Sequence, residues 1–173
     1  MATYDTAQIC LKGHLITGRA ETAPYRQRKF CERDGSEVIS RCPICDSKIR
    51  GTAILGHQVV SESLRPRLRS ELRVVPAYCP DCGKPFPWTA ERIKAAHDLI
   101  QEMDELTPEE KTRLSESVAE LAQDSPQTPV AVARVKKIAM KVGKEGWGVF
   151  QKILTDVASD AAKKMLGDAL TIA

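Results

Sequence analysis

The chain has 173 residues and a net charge of +3, and its 42% of apolar residues can form a modest core in one or two small domains. The sequence contains no run of about 18 apolar residues, so it predicts no transmembrane helix. The first twenty residues also lack the pattern of a signal peptide. We therefore expect a cytoplasmic protein, in which the six cysteines are reduced metal ligands and not disulfides.

Residues 1–87 are predicted to form short antiparallel strands joined by loops. This region contains all six cysteines and seven of the ten prolines, and its net charge is +5. Apolar and β-branched residues predict the strands Gln8–Leu11, Leu15–Thr17, Glu37–Ser40, Ala53–Val60 and Leu72–Tyr78.

Residues 88–124, with a net charge of −6, are predicted to form a helical hairpin. Thr89 is expected to cap a helix that ends near Leu106, because apolar residues recur along one helical face. Thr107, Pro108 and Glu110 then predict a capping box at the start of a second helix.

Residues 125–173 are predicted to form two amphipathic helices, and their net charge is +4. Each glycine inside a helix costs about 1 kcal/mol relative to alanine, so we expect a hinge between these helices at Gly143–Gly148. The acidic hairpin and the basic tail are expected to attract each other, within one molecule or between two.

Two Cys-x-x-Cys turns predict a metal site. They are Cys42–Cys45 and Cys79–Cys82, and Gly83 suits a turn that requires positive φ. Two residues between the cysteines let one tight turn direct both sulfur atoms at the same ion. Four thiolates arranged in this way are typical of structural zinc. A rubredoxin-like iron site and redox use of one pair are the alternatives.

The two remaining cysteines predict a second site. Cys10 and His14 lie on one turn, and Cys31 is followed by Asp34 at the position where a second cysteine would be expected. The two sites then have eight ligands, enough for two four-coordinate zinc ions. Alternatively, Asp34 is an ordinary turn residue and water or His57 is the fourth ligand. Three protein ligands and a water would be the arrangement of catalytic zinc.

The cysteines lie in longer segments of distinctive sequence. These are ICLKGHLIT at 9–17, KFCERDG at 29–35, CPIC at 42–45 and YCPDCGKPFPWT at 78–89, followed by the TPEE helix start, SPQTPVAVARVKKI and VASDAAKKMLG. Together they resemble a bacterial family of uncharacterised zinc-ribbon proteins over nearly the whole chain. The resemblance implies that Cys10, His14, Cys31 and both Cys-x-x-Cys pairs are at ligand positions. It implies cysteine at position 34, where this chain has Asp34, and it implies no activity.

Two further features bear on partners. The basic segment Leu64–Arg73, together with Arg26, Arg28 and Lys29, is either a solvated loop or a phosphate-binding face for nucleic acid. The basic C-terminal helices, with Trp147 near the glycine hinge, have some features of helices that lie on membranes. Packing of these helices on the acidic hairpin or on a partner subunit is favoured instead.

The sequence thus predicts an α+β fold, with an N-terminal double zinc ribbon at residues 1–87 and a C-terminal α-helical region at 88–124 and 125–173. Because it shows no nucleophile–base pair, phosphate loop or paired carboxylates, we expect neither an enzyme nor a small-molecule substrate. The leading hypothesis is a zinc-binding interaction or adaptor module whose helices dock a protein partner or form a homo-oligomer. The alternatives are a nucleic-acid-binding zinc ribbon, a zinc-dependent hydrolase at the Cys10–Asp34 site and a membrane-associating C-terminal helix.

Overall fold

The computed structural model describes residues 3–54, 74–142 and 144–170 of the chain. The chain divides into two compact units, residues 1–89 and residues 90–173. We refer to them as the N-terminal unit and the C-terminal unit. Within the described residues, every strand and all six cysteines belong to the N-terminal unit.

Five short strands form two antiparallel sheets in the N-terminal unit. They are β1 (Thr3–Thr6), β2 (Gln8–Cys10), β3 (Leu15–Thr17), β4 (Val38–Ile39) and β5 (Arg50–Ile54). Strand β1 pairs with β5, and β2 lies between β3 and β4. The 3-10 helix Pro24–Arg26 lies between β3 and β4 in sequence. Sheets of two or three strands need further packing to be stable, so other interactions must stabilise this unit.

A small core contributes part of that stability. It consists of Ala7, Ile9, Cys42, Ile49, Cys79, Phe86 and Trp88. The rings of Phe86 and Trp88 are stacked, with their centroids 4.7 Å apart. The indole Nε1 of Trp88 donates a hydrogen bond to the Pro76 carbonyl at 2.9 Å. Two of these seven core residues are candidate metal ligands, so the core and the predicted site are continuous.

The Asp5 carboxylate joins β1 to the loop that follows β3. Asp5 is only 2% exposed and accepts hydrogen bonds from the backbone N–H groups of Thr6, Glu21 and Thr22 at 2.7, 2.8 and 3.1 Å. The Thr22 hydroxyl donates a further hydrogen bond to it. Burial by itself would raise the pKa of Asp5, but the hydrogen bonds from Thr22, Glu21 and Thr6 together lower it below its usual value.

Five helices follow the strands. They are α1 (Pro87–Gln101), α2 (Pro108–Leu121), α3 (Thr128–Ala139), α4 (Lys144–Val157) and α5 (Asp160–Leu170). The predicted capping box at the start of α2 is confirmed. The Thr107 hydroxyl accepts from the Glu110 N–H, and the Glu110 carboxylate accepts from the Thr107 N–H.

The apolar faces of these helices meet in one core within the C-terminal unit. Its fully or almost fully buried members include Ala96, Ile100, Leu114, Val118, Leu121, Val135, Phe150, Leu154, Ala162 and Leu166. Ion pairs join the acidic helix α2 to the basic segment at α3, with Lys141 Nζ 2.6 Å from Glu110 and Arg134 Nη1 3.4 Å from Glu120. The expected attraction between the acidic and basic segments therefore acts inside one molecule.

The structure confirms the α+β class with small antiparallel sheets, but it corrects several predicted strands. The strand predicted at Leu15–Thr17 is confirmed, and those at Gln8–Leu11 and Glu37–Ser40 are shorter than predicted. Strand β5 begins earlier than the predicted Ala53–Val60, of which residues 55–60 lie outside the described residues. The prediction at Leu72–Tyr78 is wrong over its described part, because Tyr78 forms only an isolated bridge with Pro85.

The prediction of two C-terminal helices with a glycine hinge is confirmed only in part. The described residues after Gln127 form three helices. A break lies beside the predicted hinge, because α3 ends at Ala139 and α4 begins at Lys144, but Gly146 and Gly148 lie inside α4. A second break, which the sequence did not predict, lies at Ser159. Its hydroxyl accepts from the Ala162 N–H at 3.2 Å, as at a helix N-terminus, and its own N–H donates to the Leu121 carbonyl at 2.8 Å. None of the described helices is long and apolar enough to cross a bilayer.

The Asp5 interactions yield a stability prediction. We expect Asp5→Asn to lower the free energy of unfolding of the N-terminal unit by about 2 kcal/mol, because an NH2 donor replaces one of the two acceptor oxygens and faces a backbone N–H group without an acceptor. Since the folded pKa is lowered, the contribution of Asp5 is present above the unfolded pKa of about 3.9 and is lost as the pH falls through the folded pKa.

Urea unfolding followed by Trp88 fluorescence, in a Trp147→Phe background, measures this difference. The matched control is Asp81→Asn, which changes an exposed aspartate of the same unit. Equal stability of Asp5→Asn and the unchanged chain at neutral pH would contradict the assignment.

Candidate metal centres

Three turns of the N-terminal unit share one backbone geometry. They begin at Cys31, Cys42 and Cys79. In each turn the cysteine N–H donates to the carbonyl five residues later, and the cysteine carbonyl accepts from the N–H four residues later, at 2.8–2.9 Å. The fourth residue after the cysteine has a φ of 70°, 60° or 69°, at Gly35, Asp46 and Gly83 respectively. Glycine adopts this left-handed conformation without steric cost, and aspartate tolerates it.

The turn at Cys10 is a variant of this geometry. The Cys10 N–H donates to the His14 carbonyl at 3.0 Å, and the Gly13 N–H donates to the Cys10 carbonyl at 2.8 Å. Gly13 has a φ of 88°. The His14 N–H also donates to the Cys10 sulfur at 3.2 Å, an interaction that favours the thiolate. His14 therefore closes this turn through its carbonyl group and also supplies the imidazole.

The predicted four-cysteine group, which we call the Cys42 site, is assembled from two of the three similar turns. Its sulfur atoms all lie within 4.8 Å of one another. The Cys42 and Cys82 sulfurs are 3.8 Å apart, and those of Cys45 and Cys79 are 3.7 Å apart. Tetrahedral zinc with sulfur ligands at about 2.3 Å requires a sulfur–sulfur separation of about 3.8 Å. The four side chains are therefore already spaced as the ligands of one ion.

The second group, which we call the Cys10 site, contains Cys10, His14, Cys31 and Asp34. One ligand atom from each lies within 4.8 Å of the others. The Cys31 sulfur is 3.5 Å from His14 Nδ1, and the Cys10 sulfur is 3.8 Å from Asp34 Oδ2. His14 Nδ1 and Asp34 Oδ2 are 3.0 Å apart. A tetrahedral zinc ion requires about 3.6 Å for a sulfur–nitrogen or sulfur–oxygen pair and about 3.4 Å for a nitrogen–oxygen pair. The separations in this mixed group are within about 0.4 Å of these values, so it also suits one ion.

The two oxygens of Asp34 have different environments. Oδ1 accepts from the Ser36 N–H at 2.9 Å and from the Ser36 hydroxyl at 2.6 Å. Oδ2 faces Cys10 and His14. The hydrogen bonds from Ser36 hold the pKa of Asp34 well below its usual range. Asp34 is thus an ionised, oriented carboxylate with one oxygen directed at the centre of the group, as expected of a ligand held by a neighbouring donor.

Ser47 has the corresponding role at the Cys42 site. Its hydroxyl lies 3.1 Å from the Cys45 sulfur and 3.3 Å from the Cys79 sulfur. The hydrogen bond from Ser47 is the main reason that the pKa of Cys79 falls to about 6 and that the pKa of Cys45 is lowered. Ser36 and Ser47 occupy the same position of their turns, five residues after the first cysteine, so the two sites use one arrangement to orient ligands.

Cys82, Cys31 and Cys10 lie where a nearby cation would favour their thiolate forms. Although the Lys84 N–H favours the Cys82 thiolate, burial and three neighbouring sulfurs raise the pKa of Cys82 to about 12. Burial likewise raises the pKa of Cys31. Burial would raise the pKa of Cys10 as well, but the Ser36 hydroxyl and the His14 and Lys12 N–H groups lower it. A divalent ion would compensate the repulsion among these thiolates, which is why metal binding releases protons from such clusters.

The chain was compared with known proteins at the level of families. Residues 3–166 match the model of a family described as uncharacterised proteins conserved in bacteria (DUF2321). The chain belongs to this family. Among curated proteins and among solved structures, nothing matches the chain. The expected membership in a bacterial family of uncharacterised proteins is thereby confirmed.

The other predicted site residues lie elsewhere. His57, the alternative fourth ligand, and the basic segment 64–73 are outside the described residues. His97 lies on α1, where its Nε2 is 3.1 Å from the Ser115 carbonyl oxygen. The contributions of Ser36 and Ser47 were missed by the sequence analysis. Their shared position, five residues after a cysteine, is the signal that could have identified them.

The serine contacts yield a prediction for each site of this family member. We expect Ser47→Ala to weaken metal binding at the Cys42 site by about tenfold or more, and Ser36→Ala to do the same at the Cys10 site, because each variant removes a hydrogen bond that orients a ligand. Cobalt(II) titration with chelator competition measures both affinities through the sulfur-to-metal absorption bands.

Ser40→Ala is the matched control, because it changes a serine of the same unit outside both groups. Equal effects of all three substitutions would contradict the specific roles of Ser36 and Ser47.

Proposed function

We propose that this chain is a zinc-binding interaction module whose N-terminal unit is a double zinc ribbon with two structural zinc ions. The observation that supports it best is the ligand spacing. Both groups have four ligand atoms within 4.8 Å, and their measured separations are close to those of a tetrahedral zinc ion. All six cysteines lack disulfide partners, consistent with a reducing cytoplasm.

The donor atoms favour zinc over other metals. Four thiolates accept zinc or iron, whereas the two thiolates, imidazole and carboxylate of the Cys10 site are all common zinc ligands. Four protein ligands would also close each coordination shell. Asp34 Oδ2 would fill the position that a water occupies in catalytic zinc sites. We therefore propose structural ions and no enzymatic activity, in preference to a zinc-dependent hydrolase.

The interaction role is proposed for the C-terminal unit. Its helices bury their apolar stripes in their own core, so a partner would contact the outer surface. A cleft of about 750 Å³ lies between α2 and α3, lined on one side by Glu110, Arg113 and Glu116. On the other side lies Met140, which is 82% exposed. Methionine is enriched at surfaces that bind other proteins.

The same burial bears on the membrane alternative. Trp147 and Phe150 are 7% and 0% exposed and contact each other in the core, with their ring centroids 5.5 Å apart. The amphipathic stripe is therefore packed on the neighbouring helices, as the sequence favoured. A protein partner or a second copy of the chain fits this unit better than a lipid surface.

Elemental analysis tests the metal proposal. We expect about two zinc ions per chain, four ligands to each ion. We expect Asp34→Ala to lose the ion of the Cys10 site after exposure to a weak chelator, because only three ligands remain. Asp81→Ala, which removes an exposed carboxylate beside the other site, is the control and should retain both ions. A zinc content of about one ion per chain in the unchanged protein would refute the presence of two sites. An unchanged zinc content in Asp34→Ala would show that Asp34 is not a ligand.

Substitution of Met140 tests the interaction proposal. We expect Met140→Glu to weaken partner binding by about 30-fold, as expected for an anchor residue worth about 2 kcal/mol. Sedimentation equilibrium measures binding to a second copy of the chain. Affinity purification, with the unchanged chain and with Met140→Glu as baits, identifies any other protein that binds. Met165→Glu, at a partly exposed methionine of α5, is the control. Unchanged self-association and unchanged captured proteins with Met140→Glu would contradict this docking surface.

A further inference from the structure

A cleft lies directly beside the Cys10 site in the N-terminal unit. Its volume is about 410 Å³, within the range of about 300–1,000 Å³ that is usual for ligand sites. His14 and Cys31, two of the candidate zinc ligands, line one part of it. The remainder includes Tyr25 and three arginines, Arg26, Arg28 and Arg33. We call it the arginine cleft.

The charge of the arginine cleft is positive. Residues 25–33 contain four cations and one carboxylate. The single carboxylate, Glu32, pairs with Arg28 at 3.2 Å. Within the part of the chain that the structure describes, Arg26 and Arg33 have no ion pair with an acidic side chain. Two guanidinium groups are therefore available to an anionic ligand.

Arg28 is held in a defined orientation. One of its terminal nitrogens donates to the Tyr25 and Gln27 carbonyls at 3.1 and 2.9 Å, and its Nε contacts Glu32. A guanidinium that is oriented before binding loses less entropy when a ligand arrives. The cleft thus has one positioned arginine and two that can adjust to the ligand.

Tyr25 adds an aromatic surface to these charges. Its side chain is 74% exposed, and the Arg26 guanidinium lies 5.7 Å from the ring centroid. One guanidinium covers at most one face of a ring, so the other face of Tyr25 is open to a planar group. Phe30, in the same basic segment, is 62% exposed. Exposed aromatic rings within a basic segment supply stacking and phosphate contacts together.

We propose that the arginine cleft binds single-stranded nucleic acid, with a base stacked on Tyr25 and phosphates held by Arg26, Arg28 and Arg33. Duplex nucleic acid fits less well, because its bases are already stacked and cannot reach the tyrosine. A phosphorylated peptide would use the arginines but would leave the ring without a planar partner. A flat lipid surface would not reach the groups inside a concave cleft.

This inference rests on the proposed zinc sites in one respect. Two thiolates, one carboxylate and a zinc ion would leave the Cys10 site with a net charge of −1. The zinc ion would hold Cys31, which precedes Glu32 and Arg33, in place, and would thereby fix the wall of the cleft. The metal is expected to strengthen nucleic-acid binding without contacting the ligand.

Fluorescence anisotropy tests the proposal with the zinc-loaded 173-residue chain at about 50 mM salt. The probes are oligothymidylate and oligouridylate of about 16 nucleotides, together with a duplex of the same length. We expect tighter binding to one or both single strands than to the duplex, and the two single strands distinguish DNA from RNA. Three phosphate contacts predict a slope of log K against log salt of about −2.

Three variants identify the cleft as the binding site. Tyr25→Ala should weaken single-strand binding by about tenfold, since it removes one stacked base. Arg26→Gln with Arg33→Gln should weaken it and reduce the salt slope by about 1.4. Lys137→Gln with Lys152→Gln is the charge-matched control, because it removes two exposed cations from the C-terminal unit, and it should leave binding unchanged.

Four outcomes would overturn the proposal. They are no binding of single strands by zinc-loaded protein, equal binding of the duplex, equal loss in the control variant, and binding of a phosphoserine peptide in place of the oligonucleotides. Zinc content is measured on the same samples. If the protein contains two zinc ions but does not bind single strands, only the proposal for the arginine cleft is refuted. If the purified protein binds single strands but its zinc content is below the predicted value, only the metal proposal is refuted.

Discussion

The N-terminal unit depends on the meeting of side chains from four separate turns. Its described strands have two to five residues, and the core of its described part has seven buried residues, two of them cysteines. Backbone hydrogen bonds close each turn locally, and the pairing of β2 with β4 joins the Cys10 turn to the segment after the Cys31 turn. A structural zinc ion contributes on the order of 10 kcal/mol or more at neutral pH, which is comparable to the whole stability of a small domain. Coordination is therefore the interaction that would join these turns into one fold.

The sequence predicted this part of the molecule well where chemistry is local. Cys-x-x-Cys spacing identified the Cys42 site because one tight turn is enough to bring two sulfurs together. Asp34 was identified for the same reason, since it stands where a cysteine would complete a third turn. The hydroxyls of Ser36 and Ser47 were not predicted, because their value depends on which sulfur or carboxylate the folded turn places beside them.

Long-range packing explains the remaining differences. Gly146 and Gly148 reduce helix propensity, yet α4 passes through both, because Trp147, Phe150 and Leu154 are buried in the core of the C-terminal unit. A further break, which the sequence did not predict, occurs at Ser159, where a side-chain cap and a hydrogen bond to the end of α2 replace the intrahelical hydrogen bonds. Similarly, the sequence did not predict β1, because a pattern over only four residues is weak evidence for a strand. Its pairing with β5 and the buried Asp5 become evident only in three dimensions.

The two metal sites differ in a way that relates structure to function. With zinc, four thiolates would carry a net charge of −2, whereas aspartate and histidine in place of two cysteines bring the Cys10 site to −1. His14 and Asp34 are also partly exposed, with 35% and 25% of their side chains accessible. The less negative site lies beside the arginine cleft, where a charge of −2 would oppose an anionic ligand more strongly. Aspartate at position 34, where a cysteine is expected, would therefore favour an anion-binding surface next to a metal that would still close the fold.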